Sequence, residues 1–229
     1  MKDTCSGTTG TAADIEQGGV RVCIAIRLEN SSSMDTSPVP SASRWRALEH
    51  RTLLQTRVFD VRTTRFHHPV RNVERDFVVI EPPDWVNVIA LTPDNQMVLV
   101  RQFRYGTDAF SLEIPGGVIE KGEPPEVAGV RELQEETGYV GNRASTLGQV
   151  HPNPAIQCNR CHFLLVEQAT ALKAVAWDHD EEIEVCVLPV DEVFALARSG
   201  QITHSLVLNA LFLFEPIWRD LMSAADGHA

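Results

Sequence analysis

Residues 117–139, GVIEKGEPPEVAGVRELQEETGY, constrain this 229-residue chain more than any other stretch. Pro124 and Pro125 suit a first helical turn, where the missing amide hydrogen costs nothing, and Gly138 suits a helix C-terminus. The spacing therefore predicts one helix between them. At about 100° per residue, Val130, Leu133 and Thr137 fall on one side of that helix, with Glu132 and Glu136 stacked nearly opposite. Arg131 and Glu135 share a third face. Stacked like charges cost a few tenths of a kcal/mol per pair. The crowding is either an ordinary solvated acidic face or a ridge that holds something positive. Upstream, Gly116 and Gly117 allow backbone geometry closed to other residues and could bring a carbonyl close to the ridge. A carbonyl and two carboxylates form an all-oxygen donor set suited to Mg2+ or Mn2+.

The rest of the chain supplies a sheet for such a helix. Residues 1–43 read as a flexible tail and linker, ending in SSSMDTSPVPSAS. Strands are expected at 57–66, 76–81, 85–92 and 96–104, the last two as a hairpin around the turn residues Pro93 to Asn95. SLEIPGG at 111–117 should end a short strand in a glycine-rich loop. Further strands are expected at 144–150, 160–167 and 183–188. Asp191 should cap a helix ending at Arg198 before Gly200, and a last helix should span 204–222, leaving 223–229 as a tail. Strands interspersed with helices imply an α/β (α+β) fold. Its parts would be a strand segment at 44–82 and a main domain at 83–222.

Charge and cysteine usage remove several functions. With 20 Lys+Arg against 31 Asp+Glu the net charge is −11, which disfavours non-specific nucleic-acid binding. No apolar run reaches the roughly 20 residues needed to cross a bilayer. The N-terminal 19 residues lack a signal-peptide pattern, so a cytoplasmic protein without membrane attachment is expected. CNRCH at 158–162 satisfies the spacing of a c-type haem attachment site. It runs straight into the apolar strand HFLLVE, and no second Cys or His pair completes a zinc site, so both cysteines read as small strand residues.

Gly117, Glu123, Arg131, Glu132, Leu133, Glu135, Glu136, Gly138 and Tyr139 stand at the spacing of the Nudix box, and the stretch resembles it throughout, with Tyr139 the loosest fit. The resemblance implies a Nudix-type mixed β-sheet sandwiched between helices. It also implies Glu132 and Glu136 as Mg2+ ligands (Mn2+ possible), Glu135 assisting, and Glu123 with Arg131 holding the loop against the helix.

The flanks resemble the branch that cleaves ADP-ribose and nucleotide sugars. LEIPGG at 112–117 is similar to that branch's lead-in, VRQFRYG at 100–106 to its arginine-bearing strand, and Pro154 to a proline that follows its box. By this resemblance Gly116 offers a carbonyl to the metal, and Arg104, with Arg101 as the second candidate, contacts phosphate. Glu113 joins the substrate site or is merely a satisfied strand-end residue. A loop glutamate, Glu181 or Glu182, takes the proton from water, and Trp45 helps bind the base, while Trp85 reads as core. A homodimer using residues 45–81 is implied. The expected reaction is Mg2+-dependent hydrolysis of ADP-ribose to AMP and ribose 5-phosphate. The alternatives are GDP-mannose, a UDP-sugar, NADH or a dinucleoside polyphosphate as substrate. A sensing module without catalysis is disfavoured by the intact glutamates.

Overall fold

The computed structural model describes residues 43–141, 143–172 and 182–226. An antiparallel sheet comes first: β1 (Arg46–Gln55), β2 (Asp60–His68) and β3 (Val73–Glu81), in that order. Thr56 closes the first turn, its hydroxyl accepting from the Phe59 amide at 2.9 Å. β1 escapes the sequence reading because RALEHRTLLQ is rich in good helix formers and lacks clean alternation. Pairing with β2 along its length overrides that preference, with register shifts at Ala47/Glu49 and Thr52/Leu54.

The central sheet has seven strands: β4 (Trp85–Leu91), β5 (Gln96–Arg104), β6 (Ala109–Glu113), β7 (Gly116–Val118), β9 (Arg143–Val150), β10 (Cys161–Glu167) and β12 (Ile183–Pro189). The two short strands β8 (Tyr139–Val140) and β11 (Thr170–Ala171) pair separately. The order is β12-β5-β4-β10-β9, with β6 on β5 and β7 on β4. β10 runs parallel to β4 and the other pairs are antiparallel, so the sheet is mixed.

Alternation on β4 splits the core into two layers. Val86, Val88 and Ala90 pack with Ala128 and Leu133 of α1 (Pro125–Thr137). Ile89 and Leu91 pack with Phe194 of α2 (Val190–Arg198) and Phe214 and Trp218 of α3 (Ser205–Asp226). Burial on both faces explains the apolar runs 88–91 of β4 and 163–166 of β10. Completely buried side chains such as Phe163 and Phe214 each contribute about 1.5–3 kcal/mol.

α1 ends as its sequence requires, with Gly138 left-handed at φ 72°. Two local expectations fail. Asp191 does not cap α2: Pro189 holds that position, and the Asp191 carboxylate instead accepts from Trp218 Nε1 at 2.9 Å, tying α2 to α3. Gly116 and Gly117 lie in strand β7, paired with Asn87 and Val86, rather than in a loop.

Candidate active site

The acids of α1 face β7. Glu136 is 5% exposed, and one of its carboxylate oxygens accepts from the Gly116 amide at 3.0 Å. A Cβ on Gly117 would stand 2.5 Å from the Glu132 carboxylate, so only glycine admits that side chain so close. The ridge is therefore not opposite the apolar stripe. It lies roughly 110° round from Val130, Leu133 and Thr137 at 100° per residue. That angle turns it onto the neighbouring strand instead of into water. Gly116 needs its missing side chain for the same reason, since a Cβ there would meet the Val86 carbonyl at 2.2 Å.

Arg131 gathers the remaining charge. Its guanidinium donates to both oxygens of Glu123 at 3.0 and 2.9 Å, to Glu132 at 2.8 Å, to Glu135 at 3.0 Å and to the Val118 carbonyl at 3.0 Å. The Glu123–Arg131 pair expected from the box is present, but Arg131 also reaches the ridge. Hydrogen bonds to Glu123 push the Arg131 pKa up against the opposing effect of burial, with Glu132 and Glu135 adding to the rise. Glu123 is held below its ordinary value by the same contact.

Among the described residues, no three His, Cys, Asp or Glu side chains converge as a ready-made metal site. The reason is visible in the partners: Glu132 and Glu135 turn to Arg131, while Glu136 turns to the Gly116 amide. The donors at hand are carboxylate and backbone oxygens, chemistry that fits a hard divalent cation.

Beside β7 lies a cavity of about 750 Å³. Gly116 and Gly117 form part of its wall, and so do Trp85 and Asn87 of β4, Arg104 to Thr107 at the end of β5, Phe110 and Ser111 of β6, and Thr203 to Leu206 at the start of α3. Arg104 enters held by Glu113, its Nε and one terminal nitrogen donating to the two carboxylate oxygens at 2.8 and 2.7 Å. Glu113 itself is 0% exposed and lies behind the wall. Burial pushes its pKa up, but the hydrogen bonds and charge of Arg104 outweigh that and hold the carboxyl below its ordinary value.

Other expected residues lie elsewhere. Arg101 points to the opposite face of β5 from Arg104, donating to Glu184 at 3.0 Å and covering the Phe110 ring at 4.1 Å. Trp45 packs edge-on to His68 and Phe77 in the first sheet and is not part of the cavity wall. Glu181 lies outside the described residues, and Glu182 is exposed just before β12.

The cysteines of CNRCH do not act together. Cys158 is exposed, whereas Cys161 is buried, donates to the Asn87 side chain at 3.1 Å, and has its pKa pushed up to about 12 by burial.

Trp85, Tyr105, Phe110 and His204 line the cavity without standing out in the sequence as site residues. Trp85 also touches the core, and that expectation of it holds. Tyr105, 81% exposed at the β5–β6 turn, carried a weak signal as an aromatic in a polar turn. His204 carried none. It reaches the cavity because α3 starts there, with its Nε2 3.8 Å from Glu113 and its Nδ1 buried without a hydrogen-bond partner.

Comparison with known proteins bears on the family and the fold. A family model described as NUDIX domain matches residues 82–209. The chain is 28% identical over 164 residues to an ADP-ribose pyrophosphatase of Bacillus subtilis, covering 69% of this chain and 88% of that one. It is 31% identical over 134 residues to a methanol dehydrogenase activator of Bacillus methanolicus, covering 58% and 72%. A crystal structure of an ADP compounds hydrolase superposes with a TM-score of 0.70 at 21% identity, covering 79% of this chain and 97% of that one, a likeness of fold. Among the described residues, no helix is long and apolar enough to cross a membrane.

Proposed function

Because this chain belongs to the NUDIX domain family, whose members hydrolyse nucleoside-diphosphate-linked compounds, we propose that it cleaves the pyrophosphate of ADP-ribose or a related nucleotide sugar. The observation that carries this reading is the double use of Gly116 and Gly117. They wall the cavity, and they touch the carboxylates Glu136 and Glu132. A substrate lying in the cavity would thus present its diphosphate at the acidic ridge. About 750 Å³ falls within the range of small-molecule sites and suits a nucleotide sugar.

In this reading Glu132, Glu136 and the Gly116 carbonyl hold Mg2+, with Mn2+ as a substitute, and Glu135 assists. When bound, the cation acidifies a water and neutralises phosphate charge. Glu123 and Arg131 clamp the segment before α1. Arg104 offers planar paired donors to phosphate. Trp85 and Tyr105 offer ring faces to the base. Glu181 or Glu182 takes the proton as water attacks phosphorus and the bridging P–O bond breaks, releasing AMP and ribose 5-phosphate. The first sheet exposes Leu48, Leu53, Leu54, Phe77 and Val78, which supports a homodimer formed through residues 45–81.

The relatives' names differ, and a diphosphate is common to every alternative substrate, so a panel decides. Turnover of ADP-ribose, GDP-mannose, UDP-glucose, NADH and diadenosine polyphosphates with Mg2+ is followed by mass. AMP and ribose 5-phosphate from ADP-ribose are expected, and no cleavage of any nucleotide sugar overturns the reading. Glu136→Gln keeps an acceptor for the Gly116 amide but loses the charge. It should lower kcat by about a hundredfold or more without changing the thermal midpoint.

A further inference from the structure

Glu113 is a charged side chain hidden completely behind the cavity wall. A buried carboxylate is costly unless fully partnered, and an apolar residue of similar size would stabilise the strand as well or better. Its presence at this position points to a role other than stability.

The register supplies one. Arg104 pairs with Ala109, Gln102 with Ser111 and Val100 with Glu113, so Arg104, Ala109, Ser111 and Glu113 share one face of the hairpin. The Arg104 side chain runs back along that face, past the small side chains of Ala109 and Ser111, to reach Glu113. Glu113 in turn lies three residues before Gly116, whose amide meets Glu136. The guanidinium is thereby drawn back along β6, away from the β5–β6 turn. Its two bonds to Glu113 fix its plane, while the side chain remains 43% exposed.

We propose that Glu113 is a positioning residue: it never touches substrate, but it sets the place and plane of the Arg104 guanidinium at the cavity wall so that the diphosphate meets a preorganised cation. His204 approaches the same carboxylate oxygen that the Arg104 terminal nitrogen reaches, its Nε2 at 3.8 Å. Burial lowers the His204 pKa, which favours its neutral form and leaves Arg104 as the dominant cation on Glu113. Preorganisation of this kind lowers the ordering cost of binding. The inference rests on the reading of the cavity as the nucleotide-sugar site.

The test is a double-mutant cycle on the full chain, with ADP-ribose or the panel's best-cleaved nucleotide sugar. Wild type, Glu113→Gln, Arg104→Ala and the double variant are compared for kcat and KM, with thermal midpoints measured alongside. Arg104→Ala should raise KM about ten- to a hundredfold, as loss of a charged hydrogen bond made equally in ground and transition states. Glu113→Gln should raise KM by a similar factor with kcat within about threefold, and the double variant should be no worse than Arg104→Ala alone. Effects on KM that multiply in the double variant, or an unchanged KM in Glu113→Gln, overturn the proposal. Should the glutamine variant not fold, Glu113→Asp takes its place in the cycle with the same non-additivity expected. Absence of turnover by wild type refutes the site reading itself, whereas altered variants against an active wild type bear on Glu113 alone.

Discussion

His204 and Glu113 give the site a measurable acid sensitivity. His204 has its pKa lowered by burial below the ordinary 6.5, despite the favourable charge of Glu113. The unfolded chain therefore binds a proton at this position more readily than the folded one. The corresponding stability is present above 6.5 and is lost as pH falls toward the folded value. Glu113, also lowered, acts in the same direction further down, below the ordinary carboxylate value of 4.5. His204→Gln removes the upper step. Its thermal midpoint should vary less than that of wild type between about pH 7 and pH 5. Parallel curves for the two proteins would show that His204 does not titrate differently on folding. None of this was legible in the sequence: His204 is an isolated histidine between polar residues, and only the start of α3 against β6 brings it to Glu113.

Helix α1 and strand β7 show how far an element can be read in advance. Pro125 and Gly138 bound the helix because each is suited to one end and poorly to the interior. Periodicity gave Val130, Leu133 and Thr137 as the buried stripe, of which Leu133 and Thr137 are buried and Val130 is half-buried, but it could not give the neighbour that the flanking acids would meet. Glu136 is buried because β7 pairs with β4 and carries Gly116 to it. The two glycines should respond differently to alanine. At Gly116 the added carbon meets the backbone carbonyl of Val86 at 2.2 Å, and backbone in a paired strand cannot give way. Gly116→Ala should lower stability by about 2 kcal/mol or more. At Gly117 it meets the far end of the Glu132 side chain, which can swing aside. Gly117→Ala should stay within about 1 kcal/mol of wild type, yet need several-fold more Mg2+ for half-maximal activity. Thermal melting and Mg2+ titration separate the two, and equal stability losses would mean that Glu132 is as rigid as the strand.

At the scale of the whole molecule, the first sheet is the part least explained by one chain. Every residue of β1 is exposed, and Val78 and Phe77 of β3 are exposed as well, Phe77 by 45%. A second copy covering this sheet should give a sedimenting mass of twice 25.4 kDa. Leu54→Lys with Val78→Lys should shift it to the single mass while leaving the monomer fold intact, because both side chains are exposed there. A wild-type monomer at micromolar concentration would remove the dimer from the account. The sequence by itself determined the chemistry-bearing helix, its glutamates, most strands of the central sheet and the family. These depend on local rules: the rigid ring of proline, the left-handed freedom of glycine, and periods of 2 and 3.6 residues. Only the tertiary structure decided that β1 is a strand, that the Gly116 amide meets Glu136, and that Arg104 is held from behind by Glu113. Each of those depends on a partner distant in sequence or on a register between strands, and no local pattern encodes where a long side chain will find its opposite charge.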